Sequence, residues 1–211
     1  MKTVFRILML IAIGLLVFMC VQSIFSKTNF DDQLKIREIP IRDRLIVIRN
    51  AQMGYRNYYG TFAGSFTDLK TFLNEEKLPF IVKEGELTDE QLKAGMTEKE
   101  AVKKGIIRRD TTWVLAKDTL LEKNFDVNGI DQVPGFEQFT FDLDTATLSS
   151  PSGYTVPVFE VAVSYDVYLG DLDRQLLINL KDKTNKMNRY NGLRVGSVKE
   201  INNNAGNWEL F

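Results

Sequence analysis

Histidine is absent from the 211-residue chain, and cysteine occurs once. Without histidine the chain lacks the commonest general base and the commonest zinc ligand. Ser-His-Asp and Cys-His catalysis within one chain are therefore excluded. The lone Cys20 leaves no internal disulfide to stabilise a fold. Excess positive charge is missing too: 27 Lys and Arg stand against 28 Asp and Glu, a formal net charge of −1. Nucleic-acid binders draw their affinity from Lys and Arg neutralising phosphates, so no nucleic-acid partner is expected. Nor does the sequence hold a Gly-rich phosphate loop, a cysteine pair or a nucleotide fingerprint. Folding must rest on the apolar share, 44% of residues, in a chain long enough for one domain with a small appendage.

What the sequence does have is one long apolar run. Ile7 to Val21 is unbroken, and Val4, Phe5, Ile24 and Phe25 extend it. As a helix, residues 4–25 would rise roughly 33 Å, enough to cross a bilayer core. Arg6 sits within one turn of the end and can snorkel to the interface. Lys2 and Arg6 are the only charges before Lys27, so the positive-inside rule places the N-terminus in the cytoplasm and the rest outside. Two other readings stand beside an uncleaved anchor. A signal peptide could be cut at Val21-Gln22-Ser23 or within Ser23-Ile24-Phe25-Ser26, although the apolar run exceeds the usual h-region. A lipid could be attached at Cys20, although Met19 stands where a small residue is needed. Left unmodified, Cys20 is a small hydrophobe near the outer end of the run.

Ser26 to Ile39 is polar and charged and reads as a juxtamembrane spacer. Pro40 suits the first turn of a new helix. From Ile41 to Tyr59 the apolar residues recur at helical spacing, with Ile41, Leu45, Ile48, Tyr55 and Tyr59 on one stripe and Gly60 as the stop. Ser65 and Asp68 have capping-box spacing before Phe66, Leu69, Phe72 and Leu73, predicting a second helix that ends before Pro79. Phe80 to Lys83 reads as a strand. Two echoing motifs follow, Thr88 to Gly95 and Thr97 to Gly105, each with threonine first, Gln91 or Glu100 three residues on, and glycine last. That pattern predicts two short capped helices. Strands are then expected over Ile106–Leu115, Phe139–Leu143, Tyr154–Ser164 and Gln175–Leu180, with a Pro-Ser-Gly turn before Tyr154 and Pro157 at an edge or bulge. The Asn- and Gly-rich tail from Lys181 to Phe211 reads as loops with Trp208 and Phe211 packed back.

Candidate chemistry is sparse. Asp126-Val-Asn-Gly-Ile-Asp131 lacks the ligand pattern of a calcium loop and fits a tight Asn-Gly turn. Asp142, Asp144, Asp166, Asp171 and Asp173 could pair as acid and base in a glycosidase-like site, but their spacing does not converge. Lys99, Lys103, Lys104, Arg108 and Arg109 form the densest basic cluster, diluted by Glu98, Glu100 and Asp110, and read as a wet helix face. No residue is assigned a catalytic, cofactor-binding or metal-ligating role, and no cofactor is implied.

The passage Arg49-Asn50-Ala51-Gln52, Tyr55, Tyr59-Gly60-Thr61-Phe62 and Ser65-Phe66-Thr67-Asp68-Leu69 resembles the type IV pilin and type II secretion pseudopilin families over residues 41–73. There a long helix ends in a comparable passage before an antiparallel sheet. The families' processed leader and early glutamate have no counterpart in Met1-Lys-Thr-Val-Phe-Arg-Ile. The resemblance therefore implies an architecture and no functional residue.

Taken together, an α+β fold is expected: a transmembrane helix, a long amphipathic helix packed on an antiparallel sheet, and a small helical insertion. Residues 1–26 form the anchor, 27–40 the spacer and 41–211 an extracytoplasmic domain, with the insertion at 87–105. The expected role is a non-enzymatic bitopic subunit of an inner-membrane-anchored envelope assembly, pilus-like, secretion-like or partnered with an ion-driven motor. Its partners would be other envelope proteins or copies of itself. A stand-alone periplasmic binding or sensing domain is the alternative, and an Asp/Glu-dependent envelope hydrolase a third.

Overall fold

The computed structural model describes residues 2–88, 91, 93, 95–149 and 153–209. Helix α1 (Lys2–Tyr59) is continuous, with Pro40 inside it. The expected restart at Pro40 is thus corrected. Pro40 is exposed, on a face with the exposed Ile36 and Ile39, where water can take the carbonyl that its missing N–H leaves unpaired. On other faces Phe30, Glu38, Ile41, Leu45 and Ile48 are buried on both sides of the proline and hold the helix in register. The polar stretch expected as a spacer is therefore helical throughout. The apolar start of α1 is long and apolar enough to cross a membrane, with a mean hydropathy of 2.7 and none of that window buried.

The chain divides into two units, residues 50–130 and residues 1–49 with 131–211. In the first, Gly60 closes α1 at φ +83°, its N–H donating to Arg56 at 2.7 Å. Helix α2 (Phe66–Glu75) starts at Ser65, whose hydroxyl oxygen accepts from the Asp68 N–H, and it buries Leu69, Phe72 and Leu73. Strand β1 (Lys77–Glu84) pairs antiparallel with β2 (Arg108–Leu115), from Lys77 opposite Leu115 to Glu84 opposite Arg108. Between them, α3 (Glu98–Lys103) carries the expected Thr97–Glu100 capping box. In the first of the two echoing motifs, the Thr88 N–H donates to Gln91 at 3.0 Å. Residues 89, 90, 92 and 94 of that motif lie outside the described residues. Helix α4 (Ala116–Leu120) follows β2 directly.

Among the described residues the second unit holds two sheets. Strand β3 (Gln132–Val133) pairs with β4 (Phe136–Thr140), and β5 (Asp142–Ser149), β6 (Thr155–Ser164) and β7 (Gly192–Gly196) form a three-stranded antiparallel sheet in the order β5-β6-β7. The strand expected over Phe139–Leu143 is two strands: Phe141 turns inward, nearly fully buried, and the chain changes partner there from β3 to β6. Pro157 pairs with Thr147 of β5 only, because β7 first meets β6 at Glu160. A proline donates no ladder bond, and its other side is an edge at that point. Of the Pro-Ser-Gly turn before it, Pro151 and Ser152 lie outside the described residues and Gly153 adopts φ +82°.

Helix α5 (Tyr165–Leu169) leads to α6 (Arg174–Lys186), which corrects the strand expected over Gln175–Leu180. Asp173 caps α6 by accepting from the N–H groups of Gln175 and Leu176, and the buried Leu177 and Thr184 fall two turns apart. The tail is more ordered than expected, supplying the end of α6 and strand β7. Its asparagines remain turn formers: Asn188, Asn203 and Asn204 all adopt positive φ. The class is α+β, with a long apolar N-terminal helix, short helices and three small antiparallel sheets among the described residues rather than one.

Candidate functional site

The unit of residues 1–49 and 131–211 contains a cleft of about 270 Å³. Four stretches distant in sequence build it. Helix α1 contributes Glu38 and Arg42, one turn apart on the same face, and α5 contributes Tyr165. Helix α6 contributes Lys183, and the segments around β7 contribute Arg189, Tyr190 and Trp208.

At the floor, Arg42 donates from Nη2 to Glu38, whose other oxygen accepts from the Tyr168 hydroxyl at 3.3 Å. Glu38 is buried and Tyr168 fully so. Burial pushes the Glu38 carboxyl above its ordinary range more than Arg42 draws it down. Burial, then the neighbouring Glu38 charge, pushes Tyr168 far up as well. The Arg42 Nε is buried without a hydrogen-bond partner, an unmet demand in a group built to donate from a fork.

The residue before Glu38 clamps the segment that carries Tyr168. Arg37 donates to both Asp171 oxygens, at 2.5 and 2.8 Å, and to the Tyr168 carbonyl at 2.6 Å. Its guanidinium also lies 5.4 Å from the Phe136 ring centroid. Hydrogen bonding from Arg37 holds the Asp171 carboxyl below its usual range. On the far wall Asn207 donates to the Gly192 carbonyl at 2.9 Å and accepts from the Arg194 N–H at 3.2 Å, pinning the tail. Gly206 leaves room for the neighbouring indole, since a Cβ there would come within 2.6 Å of Trp208.

The cleft lining brings the aromatic side chains of Tyr165, Tyr190 and Trp208 together with Arg42, Lys183, Arg189 and the Glu38 carboxyl. Its lining brings no second acid to Glu38. The acids singled out from sequence are placed elsewhere. Asp171 pairs with Arg37, both oxygens of Asp166 accept from Lys181 at 2.5 Å, and Asp173 caps α6. Asp144 accepts from the Thr145 N–H at 2.8 Å, and Asp142 is exposed. Asp126 accepts from the Asn128 N–H at 3.0 Å, beginning a turn closed by Ile130 N–H to the Val127 carbonyl. Lys99, Lys103 and Lys104 are exposed around α3, and Arg108 and Arg109 lie on β2. Among the described residues no group of three or more acids or cysteines could hold a metal ion.

Within residues 50–130, Gln52, Tyr55 and Tyr59 have packing roles. Gln52 is fully buried and bonds Ala63 twice, accepting from its N–H at 2.9 Å and donating to its carbonyl at 3.1 Å. Tyr55 packs edge-on to Phe72 at 5.2 Å and stacks near Tyr59 at 4.6 Å. Tyr58 and Tyr59 both donate to Glu76, at 2.7 and 2.9 Å. That bond raises Tyr59 to about 12, and the two hydroxyls together lower Glu76. The stripe predicted from Ile41 to Tyr59 is fully buried at Ile41, Leu45 and Ile48, whereas Tyr59 is exposed.

Sequence reasoning missed Arg42, Tyr165, Lys183, Arg189 and Tyr190 as neighbours. Only Glu38 and Arg42 carried a readable signal, their four-residue spacing. Comparison with protein-family models, curated proteins and solved structures returns no match.

Proposed function

We propose that this chain is a single-pass membrane protein with its N-terminus in the cytoplasm, whose extracytoplasmic part serves as a non-enzymatic subunit of a cell-envelope assembly. The observation that carries it is the wholly unburied apolar window of α1. Phe5, Leu10, Ile11, Leu16, Phe18 and Ile24 all stand exposed. Each such side chain gains roughly 1.5–3 kcal/mol on leaving water, so the stretch is at home only where lipid covers it. Lys2 and Arg6 at one end give the orientation. The missing histidine and the dispersed acids support a role without catalysis, and the pilin-like passage supports a pilus- or secretion-like assembly. A motor partnership has less support, because the span lacks an acid to carry protons. Purification from native membranes in mild detergent, with mass spectrometry of co-eluting proteins, tests the proposal. Reproducible membrane partners in a large particle are expected, and a small species without partners would overturn it.

The aromatic and cationic cleft favours a second reading, a stand-alone anchored domain that binds a ligand. A site lined by rings without paired acids suits recognition better than hydrolysis.

A further inference from the structure

The polar stretch from Ser26 to Ile39 reads in sequence as a spacer, yet the unit of residues 1–49 and 131–211 leaves no bare stalk there. Cover on α1 begins at the half-buried Ser26 and continues through buried Phe30, half-buried Leu34, and buried Glu38 and Ile41. These positions fall three or four apart, on one face of the helix. The lower end of that face meets the start of α6. There Met19, Ser23 and Ser26 of α1 line a notch of about 350 Å³ with Gln175 and Leu176 of α6.

The rise of the helix sets the level of this notch. With residues 4–25 across the bilayer core, Ser26 stands about 1.5 Å beyond the core and Phe30 about 7.5 Å beyond it. The polar layers of a bilayer add roughly 5–8 Å on each side of the ~30 Å core. Cover on α1 therefore starts within the head-group layer, and the notch extends from there to Met19, at the level of the acyl chains. The chemistry changes in step. Gln22 and Ser23, polar and uncharged, are exposed near the boundary, and the apolar Met19 is exposed below them. Arg174, the first residue of α6, is exposed and carries the charge that lipid phosphates attract. Asp173, the acid at this edge, is engaged in capping α6.

We propose that the start of α6, Arg174 to Leu176, rests on the outer-leaflet phospholipid head groups of the membrane that α1 crosses, so that this unit sits on the bilayer rather than above it. The inference deepens the membrane-anchored reading and rests on it.

The test uses the full chain with Cys20→Ala, which removes the one native thiol, reconstituted in phosphatidylcholine vesicles. A single cysteine, placed in turn at Ile11, Lys27, Asp43, Arg174 and Gln175, carries a bimane fluorophore. All five positions are exposed, and circular dichroism reports the fold of each variant. Asp43 lies about 24 Å beyond Lys27 along α1. With a nitroxide on the lipid head group, the Arg174 and Gln175 labels should lose emission as strongly as the Lys27 label, and the Asp43 label should lose none. With a nitroxide deep in the acyl chain, loss of emission at Ile11 reports anchoring independently. Quenching at Ile11 and Lys27 without quenching at Arg174 and Gln175 would overturn the proposal and leave the anchored reading standing. Equal quenching at Asp43 would overturn it too, because α1 would then lie along the surface. An unquenched Ile11 label would remove the anchored reading, and this inference with it.

Discussion

Replacing Pro40 with alanine should stabilise the protein, because Pro40 sits inside α1 rather than at the start of a new helix. Proline in a helix interior is about 3 kcal/mol less favourable than alanine, through the missing N–H and the clash with the carbonyl four residues back. That carbonyl belongs to Ile36. Pro40 is exposed, so removing its ring opens no cavity and forfeits no core packing. Alanine does free the unfolded chain, which subtracts about 0.4–1 kcal/mol. The net gain is about 2 kcal/mol, a rise in Tm of roughly 5–10 °C for a folding unit of this size. Thermal unfolding of the full chain in neutral detergent, followed by far-ultraviolet circular dichroism, reads it out. An unchanged or lowered Tm would refute the reasoning. It would mean that the helix restarts at Pro40, where a first-turn proline costs nothing.

Three further outcomes follow from the packing. Leu45 is fully buried and Ile36 is exposed on the same helix; Leu45→Ala should cost about 2–5 kcal/mol in urea unfolding, and Ile36→Ala no more than about 0.5. Equal costs would contradict the buried face of α1. Gln52→Ala strands both backbone groups of Ala63 at about 1–3 kcal/mol each, so a loss of about 2–6 kcal/mol is expected. Amide exchange at Ala63 should speed up, and unaltered exchange would speak against the double bond. The Glu38 carboxyl is raised above its ordinary 4.5, chiefly by burial, so the fold favours its protonated form. Its contribution is full below the unfolded value and is lost as pH rises through the folded one. Urea midpoints should therefore fall less steeply above pH 4.5 in Glu38→Gln than in the parent, and parallel slopes would show that Glu38 is not desolvated.

What could be read in advance was local. The Ser65 and Thr97 caps, the stop at Gly60 and the buried Ile41, Leu45 and Ile48 follow from residues within a turn or two of one another. The failures had local signals that pointed two ways. Gln175 to Leu180 is a short apolar run that suits a strand or a helix, and Asp173 as cap decides for the helix. Phe139 to Leu143 alternates well enough, but a change of strand partner at Phe141 depends on distant residues. Pro40 read as a break because propensity weighs one residue, while packing on both sides of it outweighs the lost bond. The cleft was illegible for a stronger reason. Arg42, Tyr165, Lys183, Arg189 and Trp208 meet only through tertiary structure, and none of them sits in a motif.

Membrane anchoring by residues 4–25 is tested most directly in right-side-out spheroplast membranes of cells expressing the chain with distinct tags at its two ends. The membranes are washed with alkaline carbonate and then exposed to protease from outside. The protein should stay in the carbonate-washed membrane, with the C-terminal tag digested and the N-terminal tag protected. Release by carbonate, or a protected C-terminal tag, would contradict a single-pass anchor with its N-terminus inside.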